Sequence, residues 1–201
     1  MAWTFYNSDG QRLVKQSSGG VSLTGSTNNT ITTVTGACAI QGEANLTFDG
    51  TTLTHQTTGA TVSIFSRYSA DATAPDLRLL KSRGTSLGAA NAIQSGDKLG
   101  RISWYGADGD SLESGAYIEV LSGATWSDSN RQTYMDTYIT PSGGSNTNTL
   151  TTRLTSDGQL RLKNGSVSAP ALAGLCDTNT GIYFDGSDAI NFSAGGTNLS
   201  V

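Results

Sequence analysis

Asp-Gly recurs five times, at Asp9, Asp49, Asp108, Asp157 and Asp185, and no other feature limits the fold of this chain so strongly. Glycine reaches positive φ without a Cβ penalty, so Asp-Gly closes tight reversals between neighbouring strands. The runs around these turns alternate polar and apolar residues with the period of two that belongs to a strand. Ala44-Asn45-Leu46-Thr47-Phe48 leads into Asp49-Gly50, and Thr51-Thr52-Leu53-Thr54 leads out. A two-residue loop there pairs Leu46 with Leu53 and puts both on one face. Leu150 to Lys163 reads as a second hairpin, in which a three-residue loop closed by Gly158 pairs Leu154 with Leu162. A three-residue loop at Asp185-Gly186 sets Ile182 opposite Ile190. Thr61 to Phe65 reads as a further strand. The turns are irregularly spaced, so they mark a hairpin habit and not a repeat of fixed period. No helix of three turns or more is evident, and Ser86 to Ala92 holds at most one isolated helical turn.

Composition agrees with a β-protein and raises a question of stability. Gly, Ser and Thr supply 78 of 201 residues, and only 36% of the chain is hydrophobic. Thr suits strands, while Gly and Ser suit turns. Such a chain is short of material for a core of its own, although 14% charge and recurrent apolar runs argue against disorder. Completion of the core by oligomerisation is the expected solution. The net charge of −4 and the absence of a Lys/Arg block argue against nucleic acid as a partner. No apolar run approaches the roughly 20 residues of a membrane helix. MAWTFYNSDG is not the pattern of a signal peptide, so the chain is expected to fold in the cytoplasm. In that reducing compartment Cys38 and Cys176 are expected to be small buried hydrophobes.

The stretch Leu77 to Leu121 carries the most specific pattern. An apolar run, Leu77 to Leu80, precedes Arg83-Gly84-Thr85. Gly96-Asp97-Lys98-Leu99-Gly100 leads into Ile102 to Tyr105, and Asp108-Gly109 turns the chain toward Gly115-Ala116-Tyr117-Ile118. Ile102 and Trp104 share one face, and Arg101, Ser103 and Tyr105 the other. Ala116, Ile118 and Val120 form a matching apolar face, and Trp104 is expected in the core. Farther on, Met135 and Ile139 share one face of a strand, and Tyr134 and Tyr138 the other.

These five ordered elements resemble a module of the tail fibres of tailed bacteriophages, well over Leu77 to Leu162 and loosely in the flanks. The resemblance implies an all-β, elongated, intertwined homotrimeric fibre with a β-sandwich-like central module. It implies a structural virion protein, a tail-fibre subunit for host-surface recognition and attachment. A capsid decoration or head-fibre protein is the alternative, and a tailspike-type polysaccharide depolymerase a more remote one. Residues 1–16 then form a virion anchor, 17–36 a neck, 37–70 a hairpin stalk, 71–163 the central module and 164–201 a C-terminal β tail. Trp3, Phe5 and Tyr6 at the N-terminus fit either a buried first strand or a plug docked into another virion protein; the resemblance favours the plug. The N-terminus would then face the particle, with the module and tail pointing away. Assembly is expected in the host cytoplasm, with the virion as destination and a bacterial surface glycan or protein as receptor.

Chemistry is thin on this chain. His55, the only histidine, sits in a Thr-rich strand with no nucleophile motif near it. Asp108, Asp110 and Glu113 are the densest acidic group. They read as a solvated turn before a calcium site, since their spacing fits no EF-hand loop, and before a glycosidase pair. Ser156 and Lys163 superficially resemble the self-cleaving chaperone domain of such fibres, but their spacing is too long, so they read as hairpin residues. No catalytic residue, cofactor or metal is expected. Trp126, in the polar loop Ser122 to Arg131, is the best placed aromatic for a glycan contact, because a pyranose face stacks on a ring.

Overall fold

The computed structural model describes residues 5–6, 12–13, 22–24, 30–36, 39–143, 147–186 and 188–199. Every regular element among them is a strand, so the chain is all-β. It divides into two units, Met1–Pro75 and Asp76–Val201.

In the first unit β1 (Phe5–Tyr6) pairs antiparallel with β2 (Arg12–Leu13). A separate sheet contains β3 (Ser22–Thr24), β4 (Thr30–Gly36), β5 (Ala39–Phe48) and β6 (Leu53–His55). Strand β5 is its centre, antiparallel to β4 and β6 and parallel to β3. The Asp49-Gly50 hairpin differs from the expected register: Phe48 faces Leu53 and Leu46 faces His55. The loop is four residues long because the Asp49 carboxylate accepts from the amides of Thr51 (2.8 Å) and Thr52 (2.7 Å), an Asx turn that reaches one pair farther than a minimal reversal. The shift is by two, so Leu46 and Leu53 still share a face. Thr61 to Phe65 is not a strand. Val62, Ile64 and Phe65 are 72%, 79% and 64% exposed, and among the described residues this stretch pairs with no strand.

In the second unit β7 (Lys98–Ala107), β8 (Leu112–Ser122), β9 (Thr133–Ile139), β10 (Thr149–Leu154) and β11 (Leu160–Leu162) form a five-stranded antiparallel meander in chain order. Beyond it, β12 (Gly165–Ser166) pairs with β13 (Ala169–Pro170). A second meander follows, made of β14 (Leu172–Gly174), β15 (Asp177–Phe184), β16 (Ile190–Ala194) and β17 (Thr197–Leu199). Gly181 of β15 allows this pairing, since a Cβ there would stand 1.8 Å from the Leu172 carbonyl oxygen.

The other two hairpins also shift by two from expectation. Leu154 faces Leu160, not Leu162. The amide of Thr155 donates to the Gln159 carbonyl (2.9 Å) and Gly158 has φ 76°, so the three loop residues begin at Ser156. Ile182 faces Phe192, not Ile190, with Gly186 (φ 87°) and Asp188 (φ 59°) turning the longer loop. Ser86 to Ala92 forms a turn rather than a helical turn, with Gly88 at φ 81°. Leu77 to Leu80 is unpaired. Cys176 is exposed, at the reversal between β14 and β15 where a small side chain has nothing to sink into; Cys38 lies outside the described residues.

Burial within the chain is inverted. Among the described hydrophobic side chains only Ile93 and Tyr183 are buried, whereas Glu119, Ser122, Asp136, Thr155 and Ser193 are buried polar groups. Trp104, expected in the core, is 53% exposed. Among the described residues no second sheet packs across the five-stranded one, so one chain does not by itself make the sandwich-like packing expected of the central module.

Candidate functional site

The separate pieces of the motif converge on one clasp. Arg83 holds Asp97 bidentately, Nε to Oδ2 at 2.6 Å and an Nη to Oδ1 at 2.7 Å. The fork of the guanidinium matches the two oxygens, which makes the pair directional as well as charged. The Gln94 amide also donates to Oδ2 at 2.8 Å. Arg83 first, and this amide second, hold the Asp97 carboxyl well below the usual carboxylate range. The Asp97 carbonyl accepts from the Ser122 amide, and the Ser122 carbonyl from the Gly96 amide, both at 2.8 Å. The clasp thus ties the connector to the end of β8.

The motif glycines are accounted for by space and φ. A Cβ on Gly84 would meet the Ala89 side chain at 2.4 Å, and one on Gly100 would meet Leu79 at 2.7 Å. Gly96 and Gly109 have φ 85° and 119°. Gly115 is the extra residue of a bulge between the Trp104 and Tyr105 pairs. Leu79 against Gly100 shows what the unpaired Leu77 to Leu80 does: it lies along the sheet, and a groove of about 360 Å3 separates Leu77 and Leu79 from Ile102, Ile118, Val120 and Met135.

The clasp presents a sheet with two unlike faces. Registers place Ile102 beside Ile118, Trp104 beside Ala116, Ile139 beside Ala116 and Met135 beside Val120. This face is apolar and open: Ile102, Trp104, Met135, Ile139 and Leu154 are all about half exposed. The other face carries charges and tyrosines. Glu119 is 2% exposed and Asp136 is fully buried. Arg101 caps Glu119 through Nε at 2.8 Å and through a second, shorter Nη contact, and Lys98 Nζ reaches the same carboxylate at 3.2 Å. Arg153 pairs bidentately with Asp136 at 2.7 and 2.6 Å. Tyr117 and Tyr138 stack with centroids 4.4 Å apart, Arg101 lies 4.0 Å over the Tyr117 ring, and Arg153 lies 4.8 Å over Tyr134. The carboxylates hold the pKa of Arg101 and Arg153 up, and burial, followed by Asp136, pushes that of Tyr138 up. This lattice satisfies itself: each buried charge has its partner and the ring faces are occupied.

Of the residues singled out from sequence, Trp3 lies outside the described residues, and Phe5 and Tyr6 form β1. Trp126 is half-buried. Its indole N–H donates to the Gln132 carbonyl (3.2 Å) and its amide to the Ile93 carbonyl (3.1 Å), so the ring is fixed by its own loop. Asp108 uses its carboxylate to close its turn, accepting from the amides of Asp110 (3.3 Å) and Ser111 (2.9 Å), and these hold its pKa down. Glu113 accepts from the Ser111 hydroxyl at 2.8 Å. Among the described residues no three His, Cys, Asp or Glu groups converge as metal ligands. His55 is exposed on β6. Sequence reasoning missed the Arg101–Glu119 and Asp136–Arg153 pairs. Their signal was present: carboxylates in the middle of strands rich in apolar residues, in phase with an arginine on the neighbouring strand.

No protein-family model matches the chain, and no curated protein matches it. Among solved structures it is similar to the carboxy-terminal domain of the bacteriophage T5 L-shaped tail fibre, with 18% identity and a TM-score of 0.43. The likeness covers 51% of this chain and 36% of that one.

Proposed function

We propose that this chain is a structural subunit of a phage virion fibre, a tail-fibre subunit that works as a homotrimer in host-surface recognition and attachment. The observation that carries the reading is the clasp: motif elements separated in sequence, Arg83-Gly84-Thr85 and Gly96-Asp97-Lys98-Leu99-Gly100, meet as one bonded unit. Their order is then the order of a folded module and not a chance string of turns. The inverted burial supports oligomerisation, because a chain this size must hide most of its surface to be stable. The chain acts by binding, without catalytic turnover. It is assembled in the host cytoplasm and carried on the virion, and Trp3, Phe5 and Tyr6 anchor it to another virion protein. Its receptor is a bacterial surface glycan or protein.

The test is location. An antibody against this chain should label fibres at the tail in images of the encoding phage, and the purified chain should bind host cells and reduce adsorption of that phage. Label on the capsid, or none on the particle, overturns the tail-fibre reading. Deleting residues 1–16 should leave a folded oligomer that fails to join particles. Host polysaccharides incubated with the protein should release no reducing ends.

A further inference from the structure

We infer that the apolar face of the five-stranded sheet, and not its charged face, is the surface on which copies of this chain pack against one another. This deepens the oligomeric reading above and rests on it for the presence of further copies. The occupant follows from the want of a core. Among the described residues only Ile93 and Tyr183 are buried hydrophobic side chains, whereas large apolar side chains from Phe48 to Leu199 are about half exposed or more. A chain with so little of its own core has no stable monomer to deliver to an unlike partner. The cover must be present wherever the chain is made, a condition that further copies of the chain always meet.

The choice of face follows from the bonding. On one face Glu119 and Asp136 already have Arg101, Lys98 and Arg153, Tyr117 and Tyr138 stack on each other, and Tyr134 lies beneath Arg153. That face needs no partner and can meet water. On the other, Ile102, Trp104, Met135 and Ile139 are 52%, 53%, 47% and 52% exposed, and on β7 and β9 they flank Ala116, Ile118 and Val120 of β8. A contiguous apolar surface of this kind is rarely left open on a soluble protein. The groove beside Leu77 and Leu79 extends it.

The experiment is thiol protection on the full chain with Cys38→Ser and Cys176→Ser. Single cysteines are placed at Ile102 and Ile139 on the apolar face and at Arg161, exposed on the charged face opposite Arg153. The mass of each variant is measured by sedimentation at the same micromolar concentration. In the oligomer, I102C and I139C should react with a maleimide about tenfold or more slowly than R161C, and equally fast once denatured. Rapid native labelling of both apolar positions in an oligomer overturns the face assignment and leaves the fibre reading standing. Protection of R161C alone assigns the opposite face and overturns it equally. Protection in a sedimenting monomer overturns it by placing the cover within one chain. Two apolar positions guard against one variant failing to fold. Protection in a protein absent from the virion supports the inference while sinking the fibre reading.

Discussion

The two faces of the central sheet solve opposite problems with the same strands. One face buries two carboxylates and pairs both of them; the other exposes isoleucine, methionine and tryptophan and finishes nothing. Burying an ion pair is costly, since desolvation offsets much of the Coulombic gain. The charged face therefore adds little net stability, but it is complete within a single chain. Apolar burial is where stability comes from, and the chain holds most of that material in reserve on the other face. The contrast teaches that a sheet can be locally specified by one face and globally stabilised by the other. A chain built this way should be ordered as a monomeric sheet only marginally, and firmly once its copies meet.

The comparison can be broken most forcefully on the charged side. Arg153→Met leaves Asp136, fully buried, without its partner and is expected to cost about 3–5 kcal/mol in urea unfolding. Adding Asp136→Leu should recover most of that loss; if the double variant is as unstable as the single one, the pair supplies more than mutual neutralisation. Ile139→Ala probes the opposite face. With copies covering it, the loss should be about 2 kcal/mol or more, and the unfolding temperature should rise with protein concentration. A loss near 0.5 kcal/mol or less, the value for an ordinary surface site, with no concentration dependence, would mean that the face stays open.

Tyr138→Leu keeps most of the apolar area but removes the ring stacked on Tyr117, so about 1 kcal/mol is expected from the same unfolding measurement, with oligomeric mass unchanged. The smallest effect is expected from acid. The Asp97 carboxyl is held below its unfolded value, mainly by Arg83. Its contribution is therefore complete above the unfolded value of about 3.9 and is lost as pH falls from there toward the folded value. Unfolding curves for the native chain and Asp97→Asn should differ at neutral pH and approach each other below about pH 4. Parallel curves through that range would remove Asp97 from the account.

What the sequence determined by itself was sides. Period-two alternation assigns Ile102 and Trp104 to one face and Arg101 to the other, and the structure keeps every such assignment in β7 to β9. It also determined class, because Asp-Gly turns between short alternating runs leave little besides antiparallel strands. Register was decided only in three dimensions. All three hairpins pair two residues away from expectation. The Asp49 and Asp185 loops are longer, the first through the bonds of Asp49 to the Thr51 and Thr52 amides, while the Ser156 loop keeps three residues and Leu154 meets Leu160; a turn dipeptide specifies none of this. A shift of two preserves sides while changing partners, which is why the faces were legible and the pairs were not. The clasp was hidden for a related reason: Arg83 and Asp97 are fourteen residues apart, with no period linking them, and only the folded connector brings fork to carboxylate. Nor could alternation tell which face would be covered. It separates two faces by polarity, but burial depends on what packs against each, and here long side chains closed the charged face while the apolar one stayed open in the single chain.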